Sequence, residues 1–132
     1  MRWHHILEIP TATTDADPIA APASVPAARL IDLRSRESNT MIANRLIVGL
    51  HAPAAEALTV EVYALDERDE TEKDPALLRW SLVGTFVVAG GTTAQSDLSA
   101  GPGGFVGGGR FYARITATSL TSTRELVFRA TT

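Results

Sequence analysis

The chain is 132 residues long, 45% hydrophobic and 20% charged, with a formal net charge of −3, which suits one globular domain able to bury a core of its own. A net acidic chain whose single lysine is Lys73 lacks the basic profile of a protein that tracks phosphates, so no nucleic-acid partner is expected. Cysteine is absent, which excludes disulfide scaffolds, thiol catalysis and cysteine-bearing zinc sites.

In chain order, Trp3-His4-His5-Ile6-Leu7-Glu8-Ile9 reads as a short strand closed by Pro10. It is either an edge strand folded back on its own domain or an apolar tip docked on a neighbouring chain. Ile6-Leu7 is broken at once by Glu8 and Pro10, so no signal-peptide core is present and synthesis in the cytoplasm is expected. No run approaches the roughly 20 apolar residues of a membrane-spanning helix, and no membrane contact is expected. From Thr11 to Ala28, Pro18, Pro22 and Pro26 are spaced through Thr, Ala, Asp and Ser; prolines that frequent disfavour a helix or a central strand and give an extended arm. The chain therefore divides into an N-terminal arm, residues 1–28, and a sandwich domain, residues 29–132, and removal of the arm is expected to leave a folded domain.

From Arg29 the pattern turns to β. Arg29 to Leu33 reads as a strand, Thr40-Met41-Ile42 as an early start to the next, and Arg45 to His51 as a strand with Leu46, Val48 and Leu50 on one face. After the link 51–56, Leu58, Val60, Val62 and Ala64 alternate with polar or amphipathic residues. Two successive amphipathic strands with a short link imply antiparallel neighbours. The charged run Asp66 to Asp74, ending at Pro75, separates this strand from Leu78 to Val88, where Trp80, Leu82, Phe86 and Val88 share a face and Gly84 in the same series marks a bulge or bend. Gln95 to Leu98 reads as a short edge strand. The glycine-dense segment 101–109 then launches Phe111 to Thr118, with Phe111, Ala113, Ile115 and Ala117 on one face and Tyr112, Arg114, Thr116 and Thr118 on the other. The last strand, Arg124 to Ala130, presents Leu126, Phe128 and Ala130.

About seven short strands with polar turns and no amphipathic helix make an all-β chain, a single antiparallel two-sheet β-sandwich of immunoglobulin-like or jelly-roll-like type. Its expected core is Leu46, Val48, Leu58, Val60, Val62, Trp80, Leu82, Phe86, Phe111, Ile115, Leu126 and Phe128.

The chemistry-bearing residues do not assemble into a reaction centre. His4 and His5 point opposite ways from an extended chain and cannot share a metal. The acidic run lacks the Asp/Asn-Gly-Glu pattern of a calcium loop. The glycine segment leads into a strand, whereas a phosphate cradle leads into a helix whose N-terminus holds the anion. Asp15 and Asp17 lie in the proline-rich arm, a poor place for a preorganised carboxylate dyad. No catalytic residue, no cofactor and no metal are expected, and the chain is read as not an enzyme.

Three stretches, Leu58-Thr59-Val60-Glu61-Val62-Tyr63-Ala64-Leu65-Asp66-Glu67, Leu78-Arg79-Trp80-Ser81-Leu82-Val83-Gly84-Thr85 and Gly109-Arg110-Phe111-Tyr112-Ala113-Arg114-Ile115, resemble small β-sandwich virion proteins of tailed bacteriophages, over roughly residues 45–130. The resemblance implies a structural subunit located in the virion. It would be a capsid decoration or cement protein, or a neck or tail adaptor, that binds the major capsid protein or neighbouring copies of itself as a homo-oligomer. It transfers no residue roles. The residues placed at such contacts are Trp3, Ile6, Leu7 and Ile9 of the arm tip, Tyr112 and Arg114 of the 111–118 strand, and Arg129 of the last strand. The alternative from another class is a carbohydrate-recognition module using Trp3, Tyr63 or Tyr112 as a stacking platform.

Overall fold

Each stretch of alternating apolar residues buries one face. The computed structural model describes residues 2–20, 25–32, 45–65, 79–97 and 110–131. Within them lie eight strands: β1 (Arg2–Ile9), β2 (Leu30–Asp32), β3 (Arg45–His51), β4 (Ala57–Leu65), β5 (Trp80–Ala89), β6 (Thr93–Asp97), β7 (Arg110–Thr118) and β8 (Arg124–Thr131). They form two four-stranded sheets, ordered β1-β8-β3-β6 and β2-β7-β4-β5. A 3-10 turn, Ala27–Arg29, leads into β2. The glycine segment 101–109, the acidic run 66–74 and the early start at 40–42 lie outside the described residues.

The pairing is nested. β1 runs antiparallel to β8, β2 to β7, β3 to β6 and β4 to β5, so the first half of the chain lies against the second as one long ribbon. The ribbon is rolled so that β8 also meets β3 and β7 also meets β4. This is the jelly-roll form of the two-sheet sandwich.

Between the sheets Leu46, Val48, Val60, Val62, Ile115, Leu126 and Phe128 are completely buried, each worth about 1.5–3 kcal/mol relative to exposure. Two bulges move residues off the faces that strict alternation predicts. The β4–β5 register passes from Val62↔Gly84 to Tyr63↔Leu82, leaving Val83 as the extra residue. Val83 turns into the core, while Trp80 and Leu82 share the outer face with Tyr63 and are only partly buried, so neither is a core residue as expected. The β4–β7 register passes from Thr59↔Ala117 to Val60↔Ile115 around Thr116, and Ala117 is exposed where the alternation placed it inside. An extra residue reverses every side chain beyond it, because the strand period is two.

β3 and β4 are not sheet neighbours, contrary to the expectation from their short link. They lie in opposite sheets. The link 52–56 crosses between sheets beside the second crossing, Gly90 to Thr92. Gly90 donates to the Glu56 carbonyl and Gly91 N–H to the Leu50 carbonyl at 3.3 Å. Gly90 packs so tightly that a β-carbon there would overlap the Pro53 carbonyl oxygen. Amphipathic alternation reports that a face is buried and is silent on which sheet supplies it.

The N-terminal residues 2–9 pack in cis. β1 pairs with β8 in unbroken register from Arg2↔Thr131 to Ile9↔Arg124, and Leu7 and Ile9 enter the core at 3% and 0% exposure. Removing residues 1–28 would therefore take away a sheet edge and two core side chains.

Candidate functional site: the strapped sheet face and the open β1 edge

After β1 the chain leaves its sheet and lies along β7. β2 covers β7 only from Arg110 to Tyr112, and Asp15 takes up the edge beyond it, donating its N–H to the Ile115 carbonyl at 2.8 Å. One oxygen of its carboxylate, Oδ2, accepts both the Ile115 N–H and Arg29 Nε at 3.0 Å. Arg29 also donates from Nη1 to the Glu8 carbonyl at 3.2 Å. The Arg29 and Asp15 side chains are 8% and 9% exposed, so this ion pair pins the two ends of the strap from inside. Asp17 Oδ1 accepts the Ile19 N–H at 2.9 Å, a local turn of the kind Asp favours.

Beneath the strap lies a polar and aromatic network on the outer face of the second sheet. The Tyr112 hydroxyl donates to the Ala16 carbonyl at 3.2 Å, and its ring meets Trp80 edge-on with centroids 6.0 Å apart. On β4 beside it, Glu61 accepts from the Tyr63 hydroxyl and from Arg114 Nη1, both at 2.7 Å. Burial, reinforced by the nearby Asp15 carboxylate, pushes the Tyr112 hydroxyl up to about 12. Burial and the hydrogen bond to Glu61 push Tyr63 upward as well. Both tyrosines are thus held neutral as donors. Among the described residues Trp80 Nε1 and Arg114 Nε are buried without a hydrogen-bond partner.

The residues named from sequence fall into three groups. Leu7, Ile9 and Tyr112 are buried inside the molecule and cannot reach a partner, because pairing in cis and the strap cover them. Ile6 and Arg129 are exposed on the outer face of the first sheet, while Arg114 is 22% exposed and engaged with Glu61. Trp3 stands opposite Ala130 in β1, and its side chain lies outside the described residues. Tyr63 and Tyr112, at 4% and 0% exposure, offer no ring face to a sugar.

His4 and His5 alternate across β1, and burial lowers the His5 imidazole, partly offset by Asp32. His51 lies in β3, on the other side of β8 from them, 3.8 Å from Glu125. Among the described residues no group of three or more His, Asp or Glu is placed to hold a metal ion, and no helix is long and apolar enough to cross a membrane.

Sequence reasoning missed the Asp15–Arg29 pin and the open groove between β1 and the turn before β2, lined by Ile6, Glu8, Pro10, Ala28 and Leu30. The signal for the outer-face network was present in part, since Glu61/Tyr63 and Tyr112/Arg114 each repeat at a spacing of two and so share a face. That β4 and β7 are neighbours was not readable. No protein-family model, curated protein or solved structure matches the chain.

Proposed function

We propose that this chain is a non-enzymatic structural subunit of a phage or phage-like particle, of the capsid decoration or cement type, working in the virion. It binds neighbouring subunits, either the major capsid protein or further copies of itself, through its sheet edges. The observation that supports this reading most is the groove beside β1, where Ile6 and Leu30 stand 51% and 41% exposed on the edge strands of opposite sheets. Large apolar side chains beside unpaired strand edges are what a strand-to-strand contact uses. The strap changes the mode of attachment from the one first expected. β1 and the strap residues Asp15 and Ala16 are engaged with the chain's own sheets, so the contact is assigned to the edge rather than to a free arm. Mass spectrometry of washed particles from cells that make the protein is expected to find it in fixed ratio to the coat protein. Absence from the particles, or binding to a glycan array in their place, overturns the reading.

A further inference from the structure

Among the described residues β1 is the one long edge strand with neither a bulge nor a proline. Folded proteins guard free strand edges with short strands, bulges, charge or proline. Of the other three edges here, β2 is three residues long, β5 carries the bulge at Val83, and β6 is five residues whose exposed side chains, Thr93, Gln95 and Asp97, are polar. β1 runs eight residues in unbroken register, contains no proline, and shows Ile6 at its centre. The Glu8 carbonyl reaches Arg29, a residue outside this sheet. Main-chain groups of alternate residues point to the same side of a strand, so those of Ile6 and His4 lie with it on the edge away from β8.

We propose that this edge pairs with the same edge of a second copy, antiparallel about a two-fold axis through Ile6. This deepens the reading above by naming one neighbour. A two-fold contact must be self-complementary, and β1 is so in this register. Ile6 meets Ile6 of the second copy, and the exposed His4 meets the exposed Glu8 on either side, a ring N–H donor opposite a carboxylate. A shift of two residues would oppose Ile6 to His4 or to Glu8 instead. A shift of one would turn core side chains outward. In the matched register the two Ile6 residues exchange both main-chain hydrogen bonds, and the first sheets of the two copies become one continuous sheet of eight strands, four from each. The Glu8 carbonyl keeps a second lone pair for His4 N–H of the second copy while holding Arg29.

The test uses the purified full chain with no particle present, so its failure and that of the particle reading come apart. Sedimentation is expected to give twice the chain mass, with dissociation on dilution. Ile6→Lys should weaken association by about tenfold or more while leaving the circular dichroism spectrum unchanged, as Ile6 is already half exposed. His4→Glu should weaken it through like charges opposite Glu8, and adding Glu8→Lys to His4→Glu should restore it. Because the chain has no cysteine, Ile6→Cys should oxidise to a covalent dimer across the axis, where opposed Cα atoms lie about 5.5 Å apart, and Val87→Cys, at 71% exposure on another edge, should not. A chain that stays monomeric to about 100 µM overturns the proposal. So does a dimer that is indifferent to Ile6→Lys and to the charge exchange.

Discussion

Asp15→Ala should loosen the strap and cost a large share of the stability. The substitution removes the oxygen that accepts from both Arg29 Nε and the Ile115 N–H. It leaves a guanidinium in a residue only 7% exposed with no counter-charge. Breaking a buried ion pair from one side costs about 3–5 kcal/mol, against a total of about 5–15 kcal/mol for a domain. In urea, at a slope near 2 kcal/mol/M, the unfolding midpoint should fall by roughly 2 M. Asp15→Asn keeps an acceptor and loses the charge, and should lie between the variant and the parent. Asp15→Ala combined with Arg29→Met leaves no charge unpaired and should return to within about 1 kcal/mol of the parent. If Asp15→Ala costs under about 1 kcal/mol, as an exposed pair would, or if the double variant is no better than the single one, the strap is not pinned from inside.

Four further outcomes follow from the same packing. Gly90→Ala forces a β-carbon to within 2.9 Å of both the Pro53 and the Ala52 carbonyl oxygens and should cost about 3 kcal/mol or more by thermal unfolding. Gly91→Ala, at φ +72° in open space, should cost only about 1–2 kcal/mol. Both tyrosines of the chain have hydroxyls raised above their ordinary 10.0, so the unfolded chain ionises first as pH rises. The stability they contribute is therefore whole below pH 10 and is lost above it. Tyrosinate absorbance of the native protein should stay flat past pH 10 and rise together with loss of the sheet signal in circular dichroism; a separate early rise would mean an exposed ring. Ile9→Ala, at 0% exposure, should cost about 2–5 kcal/mol, and a neutral result would show that β1 docks elsewhere than on its own core.

Much of the fold was legible because the strand period is local. Leu46/Val48/Leu50, Leu58/Val60/Val62, Phe111/Ala113/Ile115 and Leu126/Phe128/Ala130 alternate in the sequence and are buried in the structure. Gly84 correctly flagged the bulge within one residue. The consequence of the bulge was not legible, since whether Leu82 or Val83 turns inward depends on where along β4 the extra residue of β5 falls. The candidate site was less readable still. Ile6 could be recognised as an apolar tip, but its neighbours Leu7 and Ile9 look the same until pairing with β8 buries them. Asp15 gives no sign in the proline-rich stretch that its partners are Arg29 and Ile115.

Composition and periodicity by themselves determined an all-β chain, the faces of its main strands and most of its core, because burial of one face of a strand is written in every second residue. Tertiary structure alone decided which strands are neighbours, that the N-terminal residues close the sandwich, and which apolar side chains remain for a partner. Those outcomes depend on contacts between residues such as Asp15 and Ile115, or Leu7 and Leu126, that are far apart in the chain. No local pattern encodes such a pair; only the nested pairing of the rolled ribbon brings its two members together.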